Sequence, residues 1–193
     1  MIEIDVPDGT VGQWTVETFE VTRDDARSFN LGLLFNRQSA RRVIPGTYKR
    51  LRWGLDIVMS NTPAEIADHA QLFVRARSAN VILLNGLGLG MALKGVLEGS
   101  RVQQVIVVER SAEVIQLVAP TYTHDPRVTI VHADALTYKP IRPMTYDVVW
   151  HDIWSAISED NLPEMFKLHR RYGHLTQWQG SWCRQACLLA RRR

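Results

Sequence analysis

Gly86, Gly88 and Gly90 stand at alternate positions directly after the apolar run 81–84, and the next two apolar runs close on acids, Glu109 after 105–108 and Asp134 shortly after 128–131. A further run, 147–150, opens into His151 and Asp152. Glycine adopts backbone angles that side chains forbid and leaves room for a ligand to lie against the main chain. A carboxylate at the end of the neighbouring strand can accept two hydrogen bonds from ribose hydroxyls. One placed after the third strand can accept from the exocyclic amine of an adenine. In this order the residues predict a pocket for an adenosine-containing small molecule, with Asp152 and His151 as catalytic candidates at its open edge.

Taken singly, each signal has a plainer reading. A glycine-rich turn also permits tight strand-to-helix packing. Glu109 alone is a solvated strand-end charge, Asp134 a turn former, His151 a histidine bonded to backbone, and Asp152 a helix cap. Their succession on consecutive strands is what favours a cofactor, because open α/β sheets bind nucleotides where the strand order reverses. A nicotinamide dinucleotide fits less well: its fingerprint wants a small residue three positions after the second glycine, and Met91 or Leu93 stands there.

Bringing these residues to one edge requires a particular set of elements. Buried parallel strands are expected at 81–84, 105–108, 128–131 and 147–150, with helices at 91–97 and 111–119 between them. Asn61 or Thr62 caps a preceding helix that carries Pro63 in its first turn and Glu65 three residues past Thr62, and that runs to Arg77. After Trp150 a helix at 161–172, a short strand at 176–179 and a last helix at 181–190 make an abbreviated ending. Strands alternating with helices predict a parallel sheet with right-handed crossovers. Residues 1–60 have a different texture, with strands at 2–6, 14–21, 48–53 and 56–59, a helix at 24–36 and a Pro45-Gly46 turn. The expected fold class is α/β: a small β-rich extension over 1–60, then a Rossmann-like, mostly parallel sheet domain over 61–193.

The bulk numbers are compatible with this. A chain of 193 residues, 46% hydrophobic and 22% charged, can bury one core. A net charge of +3 is too small to argue for nucleic acid by itself. The excess gathers at Arg37, Arg41, Arg42, Lys49, Arg50 and Arg52, and again at 191–193. The first patch reads as a solvated face, with a nucleic-acid or acidic partner as the alternative. Cys183 and Cys187, four apart, suit neither a zinc ribbon nor a disulfide framework and read as reduced thiols. His124, His132, His169 and His174 lack a metal-binding spacing. No run approaches the ~18 apolar residues that span a bilayer, and Met1-Ile2-Glu3-Ile4-Asp5 lacks the charge and apolar core of a signal peptide. A cytoplasmic protein without membrane contact, free to form a homo-oligomer, is the expectation.

Gly86-Leu87-Gly88-Leu89-Gly90, Val108-Glu109, Ala133-Asp134-Ala135 and Tyr146-Asp147 resemble the class I S-adenosylmethionine-dependent methyltransferases, and within them the spermidine-synthase-like branch. Glu65, His69, Leu72 and Phe73 are similar to a pattern preceding the glycine strand in that branch. So are Val107-Val108-Glu109 followed by Glu113-Val114-Ile115, and Asp125-Pro126-Arg127-Val128 leading into Asp134. The resemblance covers roughly residues 60–152. It implies S-adenosylmethionine as cofactor, with Gly86, Gly88 and Gly90 along its methionine and ribose side, Glu109 on the ribose and Asp134 on the adenine. It places Asp152 near the catalytic aspartate that deprotonates an attacking amine in aminopropyl transfer.

Several positions depart from the family pattern. Leu84 replaces the acid many methyltransferases carry before the first glycine, Leu89 stands where spermidine synthases place an aspartate, and Arg110-Ser111 replaces their Ile-Asp. His151-Asp152-Ile153-Trp154 lacks the two prolines of enzymes that methylate amino groups of nucleic acids. The leading expectation is methyl transfer to an unidentified small-molecule or macromolecular acceptor. Aminopropyl transfer and a non-catalytic cofactor-binding or scaffold role are the alternatives. His69 is expected on a helix surface, and Trp154, Trp178 and Trp182 as packing residues.

Overall fold

The computed structural model describes residues 2–35, 42–140 and 145–191. Five strands, Val81–Asn85 (β5), Gln104–Glu109 (β6), Val128–His132 (β7), Tyr146–His151 (β8) and Thr176–Ser181 (β9), form one sheet in the order β7-β6-β5-β8-β9. Every neighbouring pair in it is parallel. The unbroken apolar runs of β5, β6 and β8 follow from burial on both faces. Ile82, Leu84, Val105, Val107, Val148 and Trp150 pack on one side, Leu83, Ile106, Val108 and Val149 on the other. The order reverses at β5, with β6 on one flank and β8 on the other, so the carboxyl edge there opens as a crevice. The architecture is α/β and Rossmann-like.

Helices Met91–Gly99 (α4), Ala112–Val118 (α5), Leu162–Tyr172 (α6) and Arg184–Ala190 (α7) lie where the sequence places them, within a few residues. The helix expected from Thr62 to Arg77 is two: Pro63–Asp68 (α2) and Ala70–Ala76 (α3), separated at His69, whose backbone (φ −95, ψ 4) leaves the helical region. No glycine or second proline marks that break; the tertiary contacts of His69 accompany it.

Ahead of this unit, Gly9–Val11 (β1), Trp14–Val21 (β2), Gly46–Trp53 (β3) and Asp56–Ser60 (β4) make an antiparallel sheet in sequential order, with the helix Arg23–Phe35 (α1) between β2 and β3. The strand expected at 2–6 does not form; Ile4 and Val6 are nonetheless buried, and Asp5 pairs with Lys94 of α4. Val16 and Leu51 belong to the same buried cluster as Ile82 and Leu84, so the two sheets share a core.

Strand register decides the fate of the basic patch. Arg50 faces Glu17 across β2 and β3, and Glu17 bonds both Arg50 (2.6 Å) and Arg52 (2.8 Å), while Lys49 pairs with Asp8 at 2.6 Å. Three of the six cations thereby share two carboxylates; Arg37 and Arg41 lie outside the described residues, as do Arg192 and Arg193. No disulfide joins Cys183 and Cys187. Among the described residues no helix is long and apolar enough to cross a membrane.

Candidate active site

A cavity of about 560 Å³ opens at the carboxyl edge of β5, β6 and β8, walled on the far side by residues of the antiparallel sheet. Its floor is the bend after β5. Gly86 has φ +105, and a Cβ there would lie 2.0 Å from the carbonyl oxygen of Asp152. Its N–H donates to Val108 O (2.8 Å), and the Asp152 N–H donates to Asn85 O (2.8 Å). The bend therefore ties the ends of three strands together, and only glycine lets the Asp152 backbone come so close.

Gly88 also lines the cavity. Where its Cβ would project, the thioether of Met59 reaches across from β4 to 2.2 Å, and the Leu89 N–H points at the same sulfur (3.2 Å). Gly90 departs from expectation. It does not line the cavity, and its Cβ position falls 2.3 Å from the ring of Tyr122. The approach of that ring by itself demands a glycine there.

Glu109 turns toward the bend. Oε2 accepts from the Leu87 N–H (2.9 Å) and Oε1 from the Ser111 N–H (2.8 Å), which fixes the carboxylate at the cavity wall. Each oxygen keeps a second lone pair. Ser111 in turn caps α5, accepting from the Val114 N–H at 3.2 Å. Asp134 lines the cavity from the loop after β7, with Oδ1 accepting from the Leu136 N–H at 2.7 Å. Arg171 of α6 clamps that loop by donating to the carbonyls of Ala135 (2.7 Å), Tyr138 (3.1 Å) and Leu136. Sequence gave no hint of this clamp, which joins elements far apart in the chain. Arg171→Ala should leave three carbonyls unpaired, free the Asp134 loop and weaken adenosine-analogue binding by roughly tenfold, about 1.4 kcal/mol. Calorimetry on the variant checks this.

Asp152 lines the cavity directly after β8, and its Oδ2 lies 2.9 Å from Nε2 of His69. His69 is 1% exposed, not a helix-surface residue, and it lines the cavity too. Spacing could have suggested it: a histidine one turn after Glu65 faces the same way. His151 is corrected in the opposite direction. It is fully buried, and its Nδ1 accepts from the Asn85 amide (2.8 Å) while Nε2 faces Gln179 Oε1 (3.3 Å). Burial pushes its pKa down to about 3, so it is a neutral core imidazole, and it is not among the residues lining the cavity. Successive residues of a strand alternate faces, and His151 falls on the covered side.

Aromatic side chains wall the cavity. Trp154 and Trp182 line the cavity, Trp154 donating to Glu164 at 2.8 Å, whereas Trp178 stacks on Trp150 as a packing residue. Trp14 and Trp53 join them from the antiparallel sheet. Nothing in the local sequence of residues 1–60 relates them to a pocket whose floor is the bend at 86–88.

No protein-family model matches the chain, and no curated protein does. Solved structures to which the chain is similar include the N-methyltransferase NodS from Bradyrhizobium japonicum WM9 in complex with S-adenosyl-l-homocysteine, at 12% identity and a TM-score of 0.46 over 59% of this chain and 57% of that one. The CcbJ methyltransferase from Streptomyces caelestis matches at 21% and 0.44 over 58% and 45%, and the 23S rRNA methyltransferase ErmE at 16% and 0.45 over 58% and 44%. The matched part spans about half the length of those proteins. Likeness at this level assigns neither an acceptor nor a reaction.

Proposed function

We propose that the protein is an S-adenosylmethionine-dependent methyltransferase whose acceptor enters beside Asp152. The observation that carries this reading is the Glu109 carboxylate, held by the Leu87 and Ser111 amides at the wall of a 560 Å³ cavity whose floor is the glycine bend. The residues fit an adenosyl group. Gly86 and Gly88 present backbone rather than side chains, Glu109 keeps lone pairs for two ribose hydroxyls, and Asp134 can accept from an exocyclic amine. The sulfur-bonded methyl of such a cofactor is already activated, so the protein has to supply little beyond alignment. Asp152 is the cavity-lining group placed to take the proton that an amine or hydroxyl acceptor gives up. Trp154 and Trp182 line the same cavity.

Methyl transfer is favoured over aminopropyl transfer by Leu89. It stands where spermidine synthases carry an aspartate, and it is fully buried in the core, so it offers the cavity no carboxylate. A calorimetric titration with S-adenosylmethionine and S-adenosylhomocysteine tests the reading. Saturable one-to-one binding is expected, and ligand at one hundred times its Kd should add about 2.7 kcal/mol of stability. No heat and an unmoved melting temperature with either compound would refute it.

A further inference from the structure

We propose that His69 is the positioning residue of this site: a doubly protonated imidazole, bonded at one nitrogen to the Glu65 carbonyl and at the other to Asp152, that holds the aspartate carboxylate by one oxygen and leaves the other for the acceptor. The pair stands on geometry alone; its role toward an acceptor rests on the methyltransferase reading above.

Nδ1 of His69 lies 3.0 Å from the Glu65 carbonyl oxygen, and Nε2 lies 2.9 Å from Asp152 Oδ2. A carbonyl and an ionised carboxylate both only accept hydrogen bonds. A neutral imidazole has one N–H, so one of its nitrogens would turn a lone pair toward an oxygen, although the ring itself is buried. Two ring protons remove that conflict. Burial opposes the charge, but the bond and charge of Asp152, the Glu65 carbonyl and the charge of Asp68 outweigh it, so the pKa of His69 is raised. Phe73 of α3 and Trp150 of β8 are its aromatic neighbours, at 6.0 and 5.8 Å between ring centres. The Glu65 carboxylate is turned away, accepting from the N–H and Oγ of Ser60 at 2.8 and 2.7 Å.

The fold is arranged around this contact. The helix breaks at His69, and the Asp152 backbone is seated against Gly86. No hydrogen bond from the described residues reaches Asp152 Oδ1, and the residue lines the cavity with its side chain 17% exposed. Holding Oδ2 sets the direction of Oδ1, and fixed alignment of a catalytic group is a large part of rate enhancement. The sign of the pH effect follows. Because the folded pKa of His69 is raised, the stability contributed by the pair is complete below the ordinary histidine value and fades as pH rises through the folded one.

Two measurements decide the matter. The first is a long-range ¹H–¹⁵N NMR titration of the ligand-free full chain with ¹⁵N-histidine. One buried histidine should keep both ring nitrogens protonated above the range of the exposed histidines. In Asp152→Asn that titration should move down by about one pH unit or more. A neutral tautomer at His69 in the wild type at pH 7 would overturn the proposal, even if Asp152→Asn fails to fold. The second compares sinefungin, which carries an ammonium in place of the S-methyl group, with S-adenosylhomocysteine. Sinefungin should bind about tenfold tighter through a charge-assisted bond to Asp152. His69→Leu should abolish that preference, and His69→Gln, which still donates to Oδ2, should retain most of it. Equal affinities in the wild type, or a preference unchanged in His69→Leu, would overturn the positioning role. Binding of neither compound would instead bring down the cofactor reading, and the NMR titration would still decide whether the pair exists.

Discussion

Gly86→Ala should be the most damaging single substitution in the site. The new methyl would lie 2.0 Å from the Asp152 carbonyl oxygen, a backbone atom that cannot rotate aside, at a φ of +105 that alanine strongly disfavours. Relief requires β5 and β8 to part at their carboxyl ends, which breaks the Asp152 N–H bond to Asn85 and displaces Asp152 from His69. A cost of about 3 kcal/mol or more is expected, lowering Tm by roughly 6–12 °C for a chain of this size. Binding of S-adenosylhomocysteine should be lost with it. Two companion variants isolate the cause. Gly88→Ala meets mainly the flexible end of Met59 and should be milder, and Gly99→Ala, with nothing within 4 Å, should leave Tm and binding almost unchanged. Thermal melts and calorimetry on the three variants read this out. Similar Tm values for Gly86→Ala and Gly99→Ala would contradict the account of the bend.

The second large effect is expected at Glu109. Removing its carboxylate in Glu109→Ala leaves the Leu87 and Ser111 amides without their acceptor and takes away the group placed to hold a ribose. An unsatisfied buried amide costs about 1–3 kcal/mol. The ligand loss should be larger in consequence: affinity for S-adenosylhomocysteine should fall by about a hundredfold, about 2.7 kcal/mol. Adenosine, which shares the ribose but lacks the amino-acid part, should lose a similar factor. Asp134→Ala, on an exposed loop with one intraloop bond, should lose less. If Glu109→Ala loses stability but binds both ligands as before, the carboxylate is structural only.

The parallel sheet was legible because its signal is one of composition. Strands buried on both faces must be apolar throughout, and Val81–Asn85, Gln104–Glu109 and Tyr146–His151 announce themselves without a partner. Their order, β7-β6-β5-β8-β9, brings the bend, Glu109, Asp134 and Asp152 to one cavity. The antiparallel sheet was harder. Its strands alternate, but nothing local to Trp14, Trp53 and Met59 states which edge of it will wall a distant pocket. His69 and His151 lie in surroundings other than those expected for one reason. A histidine's environment is set by long-range packing: His69 by the aspartate after β8, His151 by the strand face it occupies beside Asn85 and Gln179. Gly90 shows the same limit, since Tyr122, its neighbour in space, lies more than 30 residues away in sequence.

The most direct test of the central claim is a crystal structure of the protein with S-adenosylhomocysteine. The adenosyl group should lie along the glycine bend with both ribose hydroxyls within hydrogen-bond distance of Glu109 and the adenine amine at Asp134. A ligand bound elsewhere, or one in the cavity whose ribose leaves Glu109 untouched, would contradict it.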